Sequence, residues 1–271
     1  MQRMLLGRMA LLVLVALSGS DFAPASAATD MTVAAAINQA GRQRMLSQRL
    51  AKAWLMLGLG VAPDRGQAIL KESITRFDTQ LAELKTYTPT ADVRRTLSGL
   101  EREWADYRAL LDTTPALASA GRLYQQGNAV QAAAHRLTLA YEKISGAPDD
   151  RLVNVAGRQR MLSQRLATFY LFQAWGVNTV AARMEMNFAR AEFASGMHQL
   201  SATLHRSPDI KAAVEQLDRE WLVYRDALAQ PRDAAGQRRA AADIVTLSEQ
   251  VLATAERLVA LYEAQAVAGG R

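Results

Sequence analysis

Apolar residues recur along this chain at the three-to-four-residue period of a helix. Phe77, Leu81 and Leu84 form one such stripe, and Leu97, Leu100, Trp104, Tyr107 and Leu111 form another. Val214, Leu217, Trp221, Tyr224 and Leu228 repeat the second stripe further along. That period lines one face of an α-helix, and the Trp and Tyr three residues apart are expected to be core. The breaks between stripes are short. Gly58-Leu59-Gly60 ends a first helix begun near Thr32, and Pro63-Asp64 opens a second that runs to about Lys85. Thr88-Pro89-Thr90 precedes a third, capped by Thr90 or Asp92 and ending near Asp112. Thr114-Pro115 opens a fourth that stops at Ser145-Gly146-Ala147-Pro148. Four more follow over about 150–175, 178–204, 208–229 and 234–266. Helices of this length joined by a few residues pack as antiparallel neighbours.

The eight helices are two copies of four. Asn38-Gln-Ala-Gly-Arg-Gln-Arg-Met-Leu-Ser-Gln-Arg-Leu-Ala51 recurs from Asn154 to Ala167 with thirteen of fourteen positions identical, at an offset of 116. Phe77 and Phe193 share that offset, and Arg102-Glu-Trp104-Ala-Asp-Tyr107-Arg108 matches Arg219 to Arg225 at 117. Leu139-Ala-Tyr141-Glu142 resembles Leu261-Tyr262-Glu263. The predicted fold class is all-α, with two tandem antiparallel four-helix bundle modules over 28–146 and 147–271, two bundles rather than one large core. Residues 1–27 are expected to be a signal peptide. Arg3 and Arg8 precede the apolar run from Met9 to Leu17, and Ala25-Ser26-Ala27 offers the cleavage site. The run is too short to span a bilayer, and an uncleaved N-terminal anchor is the alternative. The expected location is the periplasm.

Composition then removes functions. Zero cysteine excludes disulfides, thiolate metal sites and a cysteine nucleophile. The three histidines have no ligand spacing, no helix carries a Glu-x-x-His pair, and no nucleotide or hydrolase fingerprint occurs. No metal, cofactor or enzymatic activity is expected. The net charge of +6 is mild and has no Lys/Arg block, so no nucleic acid partner is expected. It is carried by 27 Arg against 5 Lys. Arginine favours planar oxyanions, although genome base composition explains such a ratio equally well.

The repeated string keeps its polar residues where packing alone would accept many substitutes. At 100° per residue, Ile37, Gly41, Arg44, Gln48, Ala51 and Leu55 fall within about 80° of arc, with Ser47 on the flank. Arg42, Leu46 and Arg49 lie opposite. The second copy presents Gly157, Arg160 and Gln164, flanked by Ser163, in the same way. If the two first helices met across a pseudo-two-fold axis, Arg44 and Arg160 would converge. A small planar anion between them would then offset the cost of desolvating two like charges. The competing reading has Arg42, Arg44 and Arg49 solvated or paired with Glu103 and Glu220.

The Asn-x-Ala-Gly-x-x-Arg-Met-x-Ser-x-Arg string resembles the P-box of NarX-type nitrate/nitrite sensor kinases. It also resembles the PilJ-type N-terminal domain of type IV pili methyl-accepting chemotaxis transducers. The resemblance implies anion contacts at Gly41, Arg44, Gly157 and Arg160. Both modules occur in one chain, with no HAMP-like linker, kinase or signalling coiled coil. The expectation is therefore a periplasmic, non-enzymatic sensor or binding protein for a small oxyanion, nitrate or nitrite first. Its ligand-binding candidates are Gly41, Arg44, Ser47, Gln48, Gly157, Arg160, Ser163 and Gln164. Output would pass to a membrane sensor or a chemotaxis or pilus protein, with a dimer as one open oligomeric state. The rival reading is a structural or interaction partner of such a system, with no small ligand.

Overall fold

The computed structural model describes residues 31–177, 179–203 and 207–269. The expected signal peptide lies outside the described residues. The first module consists of α1 (Val33–Leu59), α2 (Pro63–Lys85), α3 (Ala91–Leu111) and α4 (Ala120–Ser145). The second consists of α5 (Pro148–Ala174), α6 (Thr179–Ala202), α7 (Pro208–Ala229) and α8 (Ala234–Gly269). No helix among the described residues is long and apolar enough to cross a membrane.

Local chemistry sets the ends. The Thr32 and Thr90 hydroxyls accept from the amides of Ala35 and Val93 at 3.1 and 3.2 Å, capping α1 and α3. Gly60 and Gly146 close α1 and α4 at φ of 67° and 62°, which glycine adopts without steric cost. Two expected boundaries differ. After Thr114-Pro115 comes only a 3-10 turn, Leu117–Ser119, and α4 begins at Ala120. Gly58 does not end α1 but sits inside its last turn. A Cβ there would lie 2.1 Å from the Trp175 ring, so Gly58 is the gap that seats Trp175.

Within each module the first helix packs on the second and fourth, and the third packs on the fourth. Phe77 stacks on Trp104 at 3.8 Å between centroids, and Phe193 on Trp221 at 4.1 Å. The Tyr107 hydroxyl donates to the Ser47 carbonyl, and Tyr224 donates to Ser163, both at 3.0 Å. The Trp–Tyr stripes are core in both copies, as their spacing predicts. The two bundles are present, but they do not have separate cores. Helix α1 packs along α5, and one apolar cluster runs through both modules. With α2, α4, α5 and α8 around it, α1 is buried on nearly every side, and Leu46, expected opposite the Arg44 face, is fully buried.

Candidate functional site

Where α1 meets α5, two long cationic side chains enter the interior. Arg44 is 1% exposed and Arg160 is 0% exposed. Their guanidinium groups converge over the paired glycines. A Cβ at Gly41 would lie 3.0 Å from Arg44 Nη2 and 3.7 Å from Arg160 Nη2. A Cβ at Gly157 would lie 3.1 Å from Arg160 Nη2 and 3.7 Å from Arg44 Nη2. The glycines thus leave room for the arginines themselves. The pair forms within one chain, so a site shared by both copies needs no second chain.

The surroundings differ on the two sides. Arg160 Nη1 donates to Glu256 Oε2 at 2.9 Å, and its Nη2 donates to the Asn38 carbonyl at 3.3 Å. Arg44 Nη2 donates to Asn154 Oδ1 at 2.8 Å, and its Nη1 lies 3.2 Å from His135 Nδ1. The Asn154 amide in turn donates to Glu142, as Asn38 does to Glu263. Arg160 therefore has a carboxylate in contact, whereas among the described residues Arg44 reaches one through Asn154. Burial, then the charge of Arg160 and Arg158, pulls Arg44 down to about 9. Burial also lowers Arg160, with Glu256 opposing the shift. Glu256 is pushed up by burial but ends near 2 because Arg160 and Arg42 outweigh it.

Not all the candidate residues join this pair. The Ser47 and Ser163 hydroxyls turn back to the Arg44 and Arg160 carbonyls, each at 2.8 Å. Gln164 donates to the Ser248 carbonyl at 2.9 Å and accepts from Lys52 Nζ at 2.5 Å, in a separate buried cluster. Gln48 is buried and lines a small void with Ala51, Tyr124 and Phe172. The opposite-face arginines are ion-paired, but with α8 and α2 rather than with Glu103 or Glu220, Arg49 reaching Glu72 on α2 at 3.2 Å. Arg42 meets Glu256 at 2.8 Å and Arg49 meets Glu249 at 2.7 Å.

Several contributors escaped the sequence. Asn38 and Asn154 open the repeated string, and their retention in both copies is the sequence signal for them. His135 and Glu256 are different residue types at one repeat position, so comparing the copies by identity hides them. Lys52 has Thr168 as its counterpart and carried no repeat signal.

The model for the family described as PilJ, type IV pili methyl-accepting chemotaxis transducer N-term, matches residues 28–132 and 146–262. No curated protein and no solved structure matches the chain. The two matches correspond to the two helical modules and together take in well over half of the sequence. Fold, repeat and match agree: the chain belongs to the PilJ N-terminal domain family, a family of sensor and signalling domains, and carries two copies of that domain.

Proposed function

We propose that this protein is an exported, periplasmic, non-enzymatic sensor that binds a small oxyanion, nitrate or nitrite first, between α1 and α5. One observation carries the reading: two buried guanidinium groups converge over Gly41 and Gly157, and among the described residues no carboxylate is in contact with Arg44. Two like charges held together in a low-dielectric interior are costly, and a planar monoanion accepting from both would offset much of that cost. The resemblance of the repeated string to the nitrate-sensor P-box points to the same ligand class. Anion occupancy would draw α1 and α5 together, and because these helices join the modules the change would reach the surface helices. Output then passes to a chemotaxis or pilus partner.

Calorimetric titration of the protein with nitrate, nitrite, chloride and sulfate tests this, alongside Arg44→Ala and Arg160→Ala. Binding of nitrate or nitrite that both substitutions abolish is expected. No anion binding at millimolar concentration would sink the reading. A second reading, an interaction protein without a small ligand, draws on Glu256, which already neutralises Arg160 from within the chain. It also draws on Val180, Met184 and Phe188, which leave an apolar stripe exposed along α6.

A further inference from the structure

Helix α2 packs mainly on α1, and α3 mainly on α4, so the seam between α2 and α3 is closed only where large side chains cross it. Phe77 stacked on Trp104 closes it midway along both helices. One turn further along α3, Tyr107 turns inward instead, donating to the Ser47 carbonyl at 3.0 Å and lying against Gly127. Beyond that point a cavity of about 520 Å³ opens between the start of α2 and the end of α3. Its size falls in the range of small-ligand sites, about 300–1,000 Å³. Leu57, Leu70, Ile74 and Leu111 give it an apolar lining, with Leu70 and Leu111 buried and the other two half-buried. Lys71, Arg108 and Asp112 line it as well, so two cations and one carboxylate leave one positive charge. Arg108 is paired with Asp112 one turn along. Lys71 makes no ion pair or hydrogen bond with any described residue, and the neighbouring Glu72 is held by Arg49 and Arg76.

We propose that this groove of the first module binds an amphipathic monocarboxylate, a short alkyl chain laid over Leu57, Leu70, Ile74 and Leu111 with its carboxylate on Lys71. Each requirement has its own residue. The leucines and Ile74 reward an alkyl chain for leaving water, in proportion to the apolar area it covers. The charge left over after Arg108 and Asp112 pair is that of Lys71, which selects one negative charge over a neutral or cationic head. Lysine suits this task because its ammonium sits on a flexible four-carbon stem and can follow the ligand's head. The bundle itself does not require the set. At the repeat offsets of 116 and 117, Asn187, Arg190 and Ala229 stand where the first module has Lys71, Ile74 and Asp112. Arg44 and Arg160 take no part, so the inference stands or falls separately from the oxyanion reading.

Calorimetric titration with sodium octanoate below its micellar range tests this, with octanol as the uncharged chain and sodium acetate as the head alone. Wild type, Lys71→Gln and Thr75→Trp are compared; Thr75 is exposed on α2 and lines the same groove, so a ring there fills it. Octanoate should bind wild type more tightly than acetate by about a hundredfold or more, because acetate lacks the methylenes that the groove covers. It should also bind more tightly than octanol, and Lys71→Gln should weaken octanoate by about threefold or more while leaving octanol unchanged. Thr75→Trp should abolish octanoate binding; if that variant does not fold, Lys71→Gln alone decides. No octanoate binding to wild type at millimolar concentration overturns the inference. So does equal binding of octanoate and octanol, or octanoate binding that Lys71→Gln leaves unchanged. Nitrate titrated in parallel reads the α1–α5 site: octanoate binding without nitrate binding upholds the groove and sinks the oxyanion reading, and nitrate binding without octanoate does the reverse.

Discussion

Lys52 is a cation buried away from bulk solvent. It is 0% exposed, and its three protons go to Glu249 Oε1 at 2.6 Å, Ser248 Oγ at 3.0 Å and Gln164 Oε1 at 2.5 Å. Burial takes it down to about 8 although Glu249 pulls the other way. Glu249 is raised by burial but settles near 2 under Lys52 and Arg49. The two partners are unequal, because Glu249 has a second cation and Lys52 has no second carboxylate among the described residues. Glu249→Gln strands a charge in the core and should cost about 3–5 kcal/mol. Lys52→Met leaves Glu249 with Arg49 and should cost about 1–3 kcal/mol, chiefly from Gln164 losing its donor. Urea denaturation of both variants ranks them, and a more damaging Lys52→Met would contradict the account. Sequence alone could not place this cluster. A lysine in a helix is ordinarily solvated, and its partner lies 197 residues away.

Pro63, Gly146 and Pro208 mark helix ends that follow from backbone chemistry, and α2, α4 and α7 start or stop there as their spacing predicts. The convergence of Arg44 with Arg160 was legible as a consequence of pairing the first helices, since helical period fixes which residues share a face. The burial of both sides of α1 was not, because a face count on one helix does not say how many neighbours surround it. Gly58 belongs to this scale: it is a packing surface rather than a stop, and it couples the C-terminal ends of α1 and α5 through Trp175. Gly58→Ala gains up to about 1 kcal/mol of helix propensity. It also drives a methyl into a ring, and such overpacking costs about 1–3 kcal/mol or more. A lower melting temperature for Gly58→Ala is expected, and an unchanged or higher one would mean that Trp175 moves aside freely.

Across the whole molecule, the shared core predicts that neither module is self-sufficient. Residues 28–146 or 147–271 alone expose the α1 or α5 face, with its buried arginine, to water. Each half should lack a cooperative melting transition, and mixing the two should restore one. Halves that melt cooperatively alone would contradict a single core. Acid should weaken the assembled protein. Burial, with Arg44, Arg158 and Arg136, lowers His135 from 6.5 to about 4, so between those values the unfolded chain takes up a proton that the folded chain refuses. Stability therefore falls as pH drops through that window. Below 4.5 it falls further, toward about 2, as the stabilisation from Glu249 and Glu256 is lost. Unfolding free energies at pH 4 and 6.5 check this, and His135→Gln should flatten the slope between them. An unflattened slope would remove His135 from the explanation.

Fusing two copies into one chain has a consequence for inheritance. In a dimer of identical subunits every mutation appears twice, so a histidine on one flank of the arginine pair and a glutamate on the other could never coexist. A tandem gene lifts that constraint. Position 135 and position 256 could drift independently, and one flank could supply its own counter-ion while the other stayed answerable to the surroundings. Each chain then assembles its arginine pair at any dilution, without waiting to meet a second copy.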